Sequence, residues 1–169
     1  GSSWEPGMAK CGELLKAVLT DTKDLAEALS LITDRHELQH QIDGPHLEMA
    51  PVIMKRSRMG PRSRKAVNRE LSAHLAQFVG EGIDPRLSLI KVARHAILSS
   101  RGKYHQVGVL VLSEMSGIDT WTEEGYEDEA KVVEAFEMLA GLSKEELIER
   151  AEDAFEDQYG SMPEVTVLK

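Results

Sequence analysis

Hydrophobic and polar positions alternate along this chain with helical spacing almost throughout. Between residues 8 and 33, Leu14, Leu15, Val18, Leu19, Leu25, Ala28, Leu29 and Ile32 form an apolar stripe. It reads as one long helix, or as two with Thr20 or Asp21 capping the second. Residues 34–46 continue as a polar helix end, closed by Gly44-Pro45, and Pro51 makes 47–59 a short link. Gly60-Pro61 breaks the chain again, and Pro61 suits the first position of a new helix. Val67, Leu71, Leu75 and Phe78 then share one face of a helix over 62–79, ended by Gly80.

The clearest helix start is Asp84-Pro85, which opens a helix over 85–100. Leu87, Leu89, Ile90, Val92, Ala93, Ala96 and Ile97 give it an apolar band broad enough for a central position. Residues 106–115 are short and apolar and read as a buried helix, because no second strong strand is there to pair with them. A loop over 117–125 leads to a helix over 126–140, stopped by Gly141. Ser143 and Glu146 form a capping box, and the helix they begin turns Leu147, Ile148, Ala151, Phe155 and Tyr159 inward before Gly160. The expected fold is all-α, a compact bundle of about six or seven helices in a single domain over 8–160. Residues 1–7 are set aside as tag-like or disordered, since Gly1-Ser2-Ser3 resembles an expression scar. Residues 161–169 form a tail, in which Val165-Thr166-Val167 is able to add an edge strand.

Composition narrows the class without naming an activity. The chain has 169 residues, 41% hydrophobic and 29% charged, which suits one globular domain. Aromatics at 5% are too sparse for a platform on which single strands stack. Cys11 is the sole cysteine, so no intrachain disulfide forms, and its place on an apolar stripe makes it core rather than nucleophile. No apolar run approaches the roughly 18 residues of a membrane span. An intracellular protein, cytoplasmic or nuclear, is the expectation. Neither a glycine-rich phosphate loop nor a G-x-S-x-G elbow is present.

Charge changes the picture more. Residues 1–54 hold 4 basic and 9 acidic groups, residues 55–105 hold 12 and 3, and residues 106–169 hold 4 and 17. Such segregation points to an anionic partner, or to the protein's own acidic end. Arg62, Lys65 and Arg69 fall opposite the apolar face of their helix, in its first two turns. Cations there oppose the helix dipole at about 0.3–1 kcal/mol each, which makes sense if an anion docks beside them. The leading expectation is a non-enzymatic binder of nucleic acid, RNA foremost, or of another polyanion, such as a viral or phage structural or regulatory component. Lys55, Arg56, Arg58, Arg62, Arg64, Lys65, Arg69, Arg94 and Arg101 would carry the contact. If helices 62–79 and 85–100 pair as an antiparallel hairpin, Arg86, His95, Lys103 and His105 extend the same face. The alternative is an assembly module in which the basic middle meets the acidic end of a second copy or of another protein. The acidic last third would also serve to cover the basic face. Lys55-Arg56 with Arg62-x-Arg64-Lys65 further resembles a nuclear localisation signal.

One stretch suggests catalysis. His36-Glu37-x-x-His40 places two histidines one helical turn apart, and His46 follows. The pattern resembles that of zinc metallopeptidases, and the position of His46 resembles the third histidine of the metzincin subgroup. The resemblance covers eleven residues and departs from the subgroup at Asp43, where a glycine is usual. It implies a small zinc-dependent hydrolase with ligands His36, His40 and His46, base Glu37, and Met115 below the metal. His74, beside an apolar face, reads as a packed histidine.

Overall fold

The computed structural model describes residues 4–56, 59–98 and 102–165. Among them the chain forms eight α-helices: α1 Trp4–Asp21, α2 Leu25–Asp43, α3 Pro51–Met54, α4 Pro61–Ala76, α5 Pro85–Leu98, α6 Lys103–Ser116, α7 Glu129–Ala140 and α8 Lys144–Tyr159. A single 3₁₀ turn, Gly44–His46, follows α2. The all-α expectation holds, with α3 as a short addition to the count. No strand occurs among the described residues, where Trp121 and Glu127 make one isolated bridge. Residues 166–167 of the expected edge strand lie outside them. No described helix is long and apolar enough to cross a membrane.

The stripe before residue 44 divides into two helices, but the cap is Asp24, which accepts from Glu27 N. Thr20 is unavailable for that role, because its hydroxyl donates to Lys16 O inside α1. Ser143 and Glu146 make the capping box that their spacing implies. The buried helix expected over 106–115 is the heart of α6, where Val107, Val109, Leu110, Val111 and Leu112 are fully enclosed.

α6 is the hub, with α4, α5, α7 and α8 packed around it. Its contact with α5 is close because Gly108 has no side chain: a Cβ there would stand 2.7 Å from Ala96 N. α4 packs chiefly on α2 and α6, and α5 on α6 and α1. The antiparallel α4–α5 hairpin is therefore corrected. The two helices meet through Ser88 Oγ, which donates to Gln77 O at 2.7 Å, and through the rings of His74 and His95. The wide apolar band of α5 draws it onto α6 rather than onto α4.

Asn68 of α4 anchors three elements. It accepts from Ala50 N and donates to Glu48 O, while Tyr159 of α8 donates to it. The α2–α4 seam is also polar. Arg35 donates to Gln39, Gln39 to Asp43, and Ser72 to Asp43, so buried α2 residues meet α4 through hydrogen bonds. Such a seam persists only when its members find partners.

Candidate metal centre

One turn further around the same seam, two pairs of side chains converge. His36 and His40 stand one turn apart on α2, and Glu70 and His74 stand one turn apart on α4. His36 Nε2 is 3.1 Å from His40 Nε2 and 3.2 Å from Glu70 Oε2. His40 Nε2 is 3.4 Å from Glu70 Oε1, and His74 Nδ1 is 3.5 Å from Glu70 Oε2. Donor atoms around a tetrahedral zinc ion, with bonds near 2.0–2.1 Å, are about 3.3 Å apart. The donor atoms of His36, Glu70 and His74 all lie within 4.8 Å of one another. The four side chains keep only 15%, 16%, 12% and 4% exposure in chain order.

The surroundings set the charge states of these groups. Burial alone would raise the Glu70 carboxyl, but the close His36, then His74 and His40, draw it down to about 2. Burial, with His36 nearby, pushes His74 down to about 3. At neutral pH Glu70 is thus an anion and His74 a neutral ring, the protonation states that metal binding requires. Glu70 Oε2 is enclosed and has no well-aligned donor beyond the 3.2 Å approach of His36 Nε2. His40 Nδ1 is likewise enclosed without a partner.

A second layer fixes the rings. His36 Nδ1 is hydrogen-bonded to Gln77 Oε1 at 3.1 Å, which leaves Nε2 facing the cluster. His74 Nδ1 donates to Glu70 O at 2.7 Å, so its own Nε2 carries the lone pair. Ligating histidines are usually held as His36 is, through the other ring nitrogen, whereas His74 turns its committed Nδ1 toward Glu70 Oε2. At the open side stand Lys103, Tyr104 and His95. Lys103 Nζ lies 3.9 Å from Glu70 Oε1, and the rings of His95 and Tyr104 stack at 5.2 Å.

Of the residues expected to hold metal, His36 and His40 come together. His46 is exposed on the 3₁₀ turn, because α2 stops at Asp43 and Gly44 turns the chain at positive φ. Glu37 is exposed on α2. Neither belongs to the cluster. His74 is packed, as its position suggests, and is also a member. Glu70 and His74 repeat the one-turn spacing of His36 and His40, a signal that two such pairs on two helices would have offered.

The expected anion-binding residues differ in exposure and in partners. Lys55, Arg62, Lys65 and Arg69 are exposed, and none is ion-paired among the described residues. Arg56 instead lies 4.0 Å over the Trp121 ring, in the field of Asp119 and Glu114, and its carbonyl accepts from Arg64. Arg94 is exposed on α5, whereas Arg86 is bound by Asp84 and Asp21, and His105 by Glu127. Arg58 and Arg101 lie outside the described residues.

No protein-family model, no curated protein and no solved structure matches this chain.

Proposed function

We propose that this protein binds one divalent transition-metal ion of the zinc class between α2 and α4. His36, His40 and Glu70 are the ligands, and His74 completes or buttresses the set. The observation that carries this reading is the convergence of two imidazole nitrogens and a buried carboxylate at 3.1–3.4 Å. Hydrogen bonding alone explains it poorly, because one carboxylate oxygen is enclosed without a well-aligned donor. Imidazole with carboxylate suits zinc and its neighbours rather than calcium or magnesium. Two histidines and a carboxylate, with a position left for water, is also a donor set of catalytic zinc sites. A metal-bound water activated for hydrolysis is the chemistry such a centre supports.

Calorimetric titration of metal-stripped protein with zinc or cobalt(II) tests the assignment. One equivalent per chain is expected. His36→Ala, His40→Ala and Glu70→Gln each weaken uptake, while His46→Ala and Glu37→Gln leave it unchanged. The assignment fails if there is no stoichiometric uptake, or if uptake is indifferent to the first three changes.

A second reading rests on a different observation: Arg62, Lys65 and Arg69 stand exposed on the outer face of α4 without carboxylate partners among the described residues. That face supports salt-sensitive binding of a polyanion such as RNA. A filter-binding titration against random RNA and DNA at low salt tests it, and no retention of either ends it.

A further inference from the structure

Resting on the metal-centre reading, we infer that the open side of the cluster is a subsite for an oxyanion of the phosphate class, held between the bound metal and Lys103. Lys103 opens α6, and its side chain is 40% exposed against 12% for Glu70. Its Nζ faces Glu70 Oε1, the oxygen that His40 Nε2 also approaches at 3.4 Å. Metal and lysine therefore compete for one carboxylate. Without an ion, Glu70 is the only carboxylate of the cluster, and Lys103 balances its charge. A divalent ion adds two positive charges and takes Glu70 as its ligand. Lys103 then loses its partner, and the centre holds two positive charges that no protein group in the cluster offsets.

The neighbourhood sharpens that excess. Besides Glu70 and His36, the groups whose fields reach His95 at the mouth are Lys91 and Arg94. Neither is ion-paired among the described residues. Lys103 also lies 4.8 Å over the Tyr104 ring, which holds the ammonium at the entrance. The rings of His95 and Tyr104 stack beside it, with centroids 5.2 Å apart. A ligand that puts one oxygen on the metal and another on Lys103 meets both positive centres at once. Phosphate, as a dianion, offsets the full excess, whereas a carboxylate offsets half of it. The site binds without making or breaking a covalent bond.

The test uses the full chain loaded with cobalt(II), whose visible spectrum reports its ligands. Inorganic phosphate is titrated into the loaded protein, into metal-free protein and into the loaded Lys103→Met variant; acetate is titrated into the loaded wild type. Phosphate is expected to shift the cobalt bands of the wild type, to bind metal-free protein far more weakly, and to bind the variant at least about tenfold more weakly. Cobalt uptake by the variant is expected to persist and not to weaken, since Lys103 is not a ligand and competes with the metal for Glu70. Normal cobalt uptake with no response to phosphate overturns the subsite and leaves the metal centre standing. Equal phosphate binding by the variant, or equal binding of acetate, also overturns it. Absence of cobalt uptake overturns subsite and metal centre together.

Discussion

The side-chain amide of Gln77 meets Nδ1 of His36 at 3.1 Å, and that contact turns Nε2 of the ring toward Glu70 and His40. Gln77 follows the last turn of α4, and its own carbonyl is held by Ser88 of α5. The orientation of a helix α2 side chain is thus set by two other helices. Loss of a partner of this kind typically costs about 10–100-fold in metal affinity. Gln77→Leu is expected to lose affinity in that range, and Gln77→Glu, which keeps an acceptor, to recover most of it. Calorimetry with zinc measures both.

The proposed metal would link α2 to α4, so its binding would also raise stability. At a free concentration about a hundred times the dissociation constant, the linkage supplies about 2.7 kcal/mol. For a chain of this size that corresponds to roughly 5–10 °C in Tm. Scanning calorimetry with and without zinc is expected to show the rise in wild type and not in Glu70→Gln.

His105 of α6 and Glu127 of the α6–α7 connection form an ion pair with both side chains largely enclosed. The hydrogen bond to Glu127 raises the His105 pKa against the opposing effect of burial. A raised folded value means that the pair stabilises most below the unfolded value, about 6.5. That contribution disappears as pH climbs through the raised value. Glu127→Gln is therefore expected to lower Tm more at pH 6 than at pH 9. A difference independent of pH would contradict the assignment.

Gly108→Ala places a methyl against the backbone of α5, within 2.7 Å of Ala96 N and 2.9 Å of Val92 O. Rigid backbone cannot yield as a flexible side chain can, so the helices must separate. Overpacking of this kind costs about 1–3 kcal/mol. Urea unfolding is expected to show a lower midpoint with an unchanged slope.

On the outer face of α4, reversing Arg62, Lys65 and Arg69 to Glu is expected to weaken RNA binding and flatten its salt dependence. The logarithmic slope falls by about 0.7–0.9 for every phosphate that is no longer neutralised. Filter binding across a salt series reads the effect. Metal affinity is expected to stay unchanged, because none of the three touches the cluster.

Much of the fold was legible because its signals are local. Pro61, Asp84-Pro85 and Ser143 with Glu146 act within a single turn, and α6 declared itself by the lack of any strand to pair with. The start of α2 was not legible, since Thr20 satisfies its hydroxyl within α1 and leaves the cap to Asp24. Half of the metal cluster showed in the spacing of His36 and His40. The other half did not, because Glu70 and His74 lie in a helix whose basic head dominates any reading of charge. Only the packing of α2 against α4 shows that these two pairs share one centre. The same packing sets Arg94 on a different helix from Arg62, Lys65 and Arg69, since α5 sits on α6 rather than on α4.

α2 encloses Ile32, Arg35 and Gln39 but little other bulk, and it is fastened to its neighbour mainly by hydrogen bonds. Two of its rings supply donors to the proposed ion, so metal binding would add one more tie between residues 25–43 and α4, beside the hydrogen bonds already there.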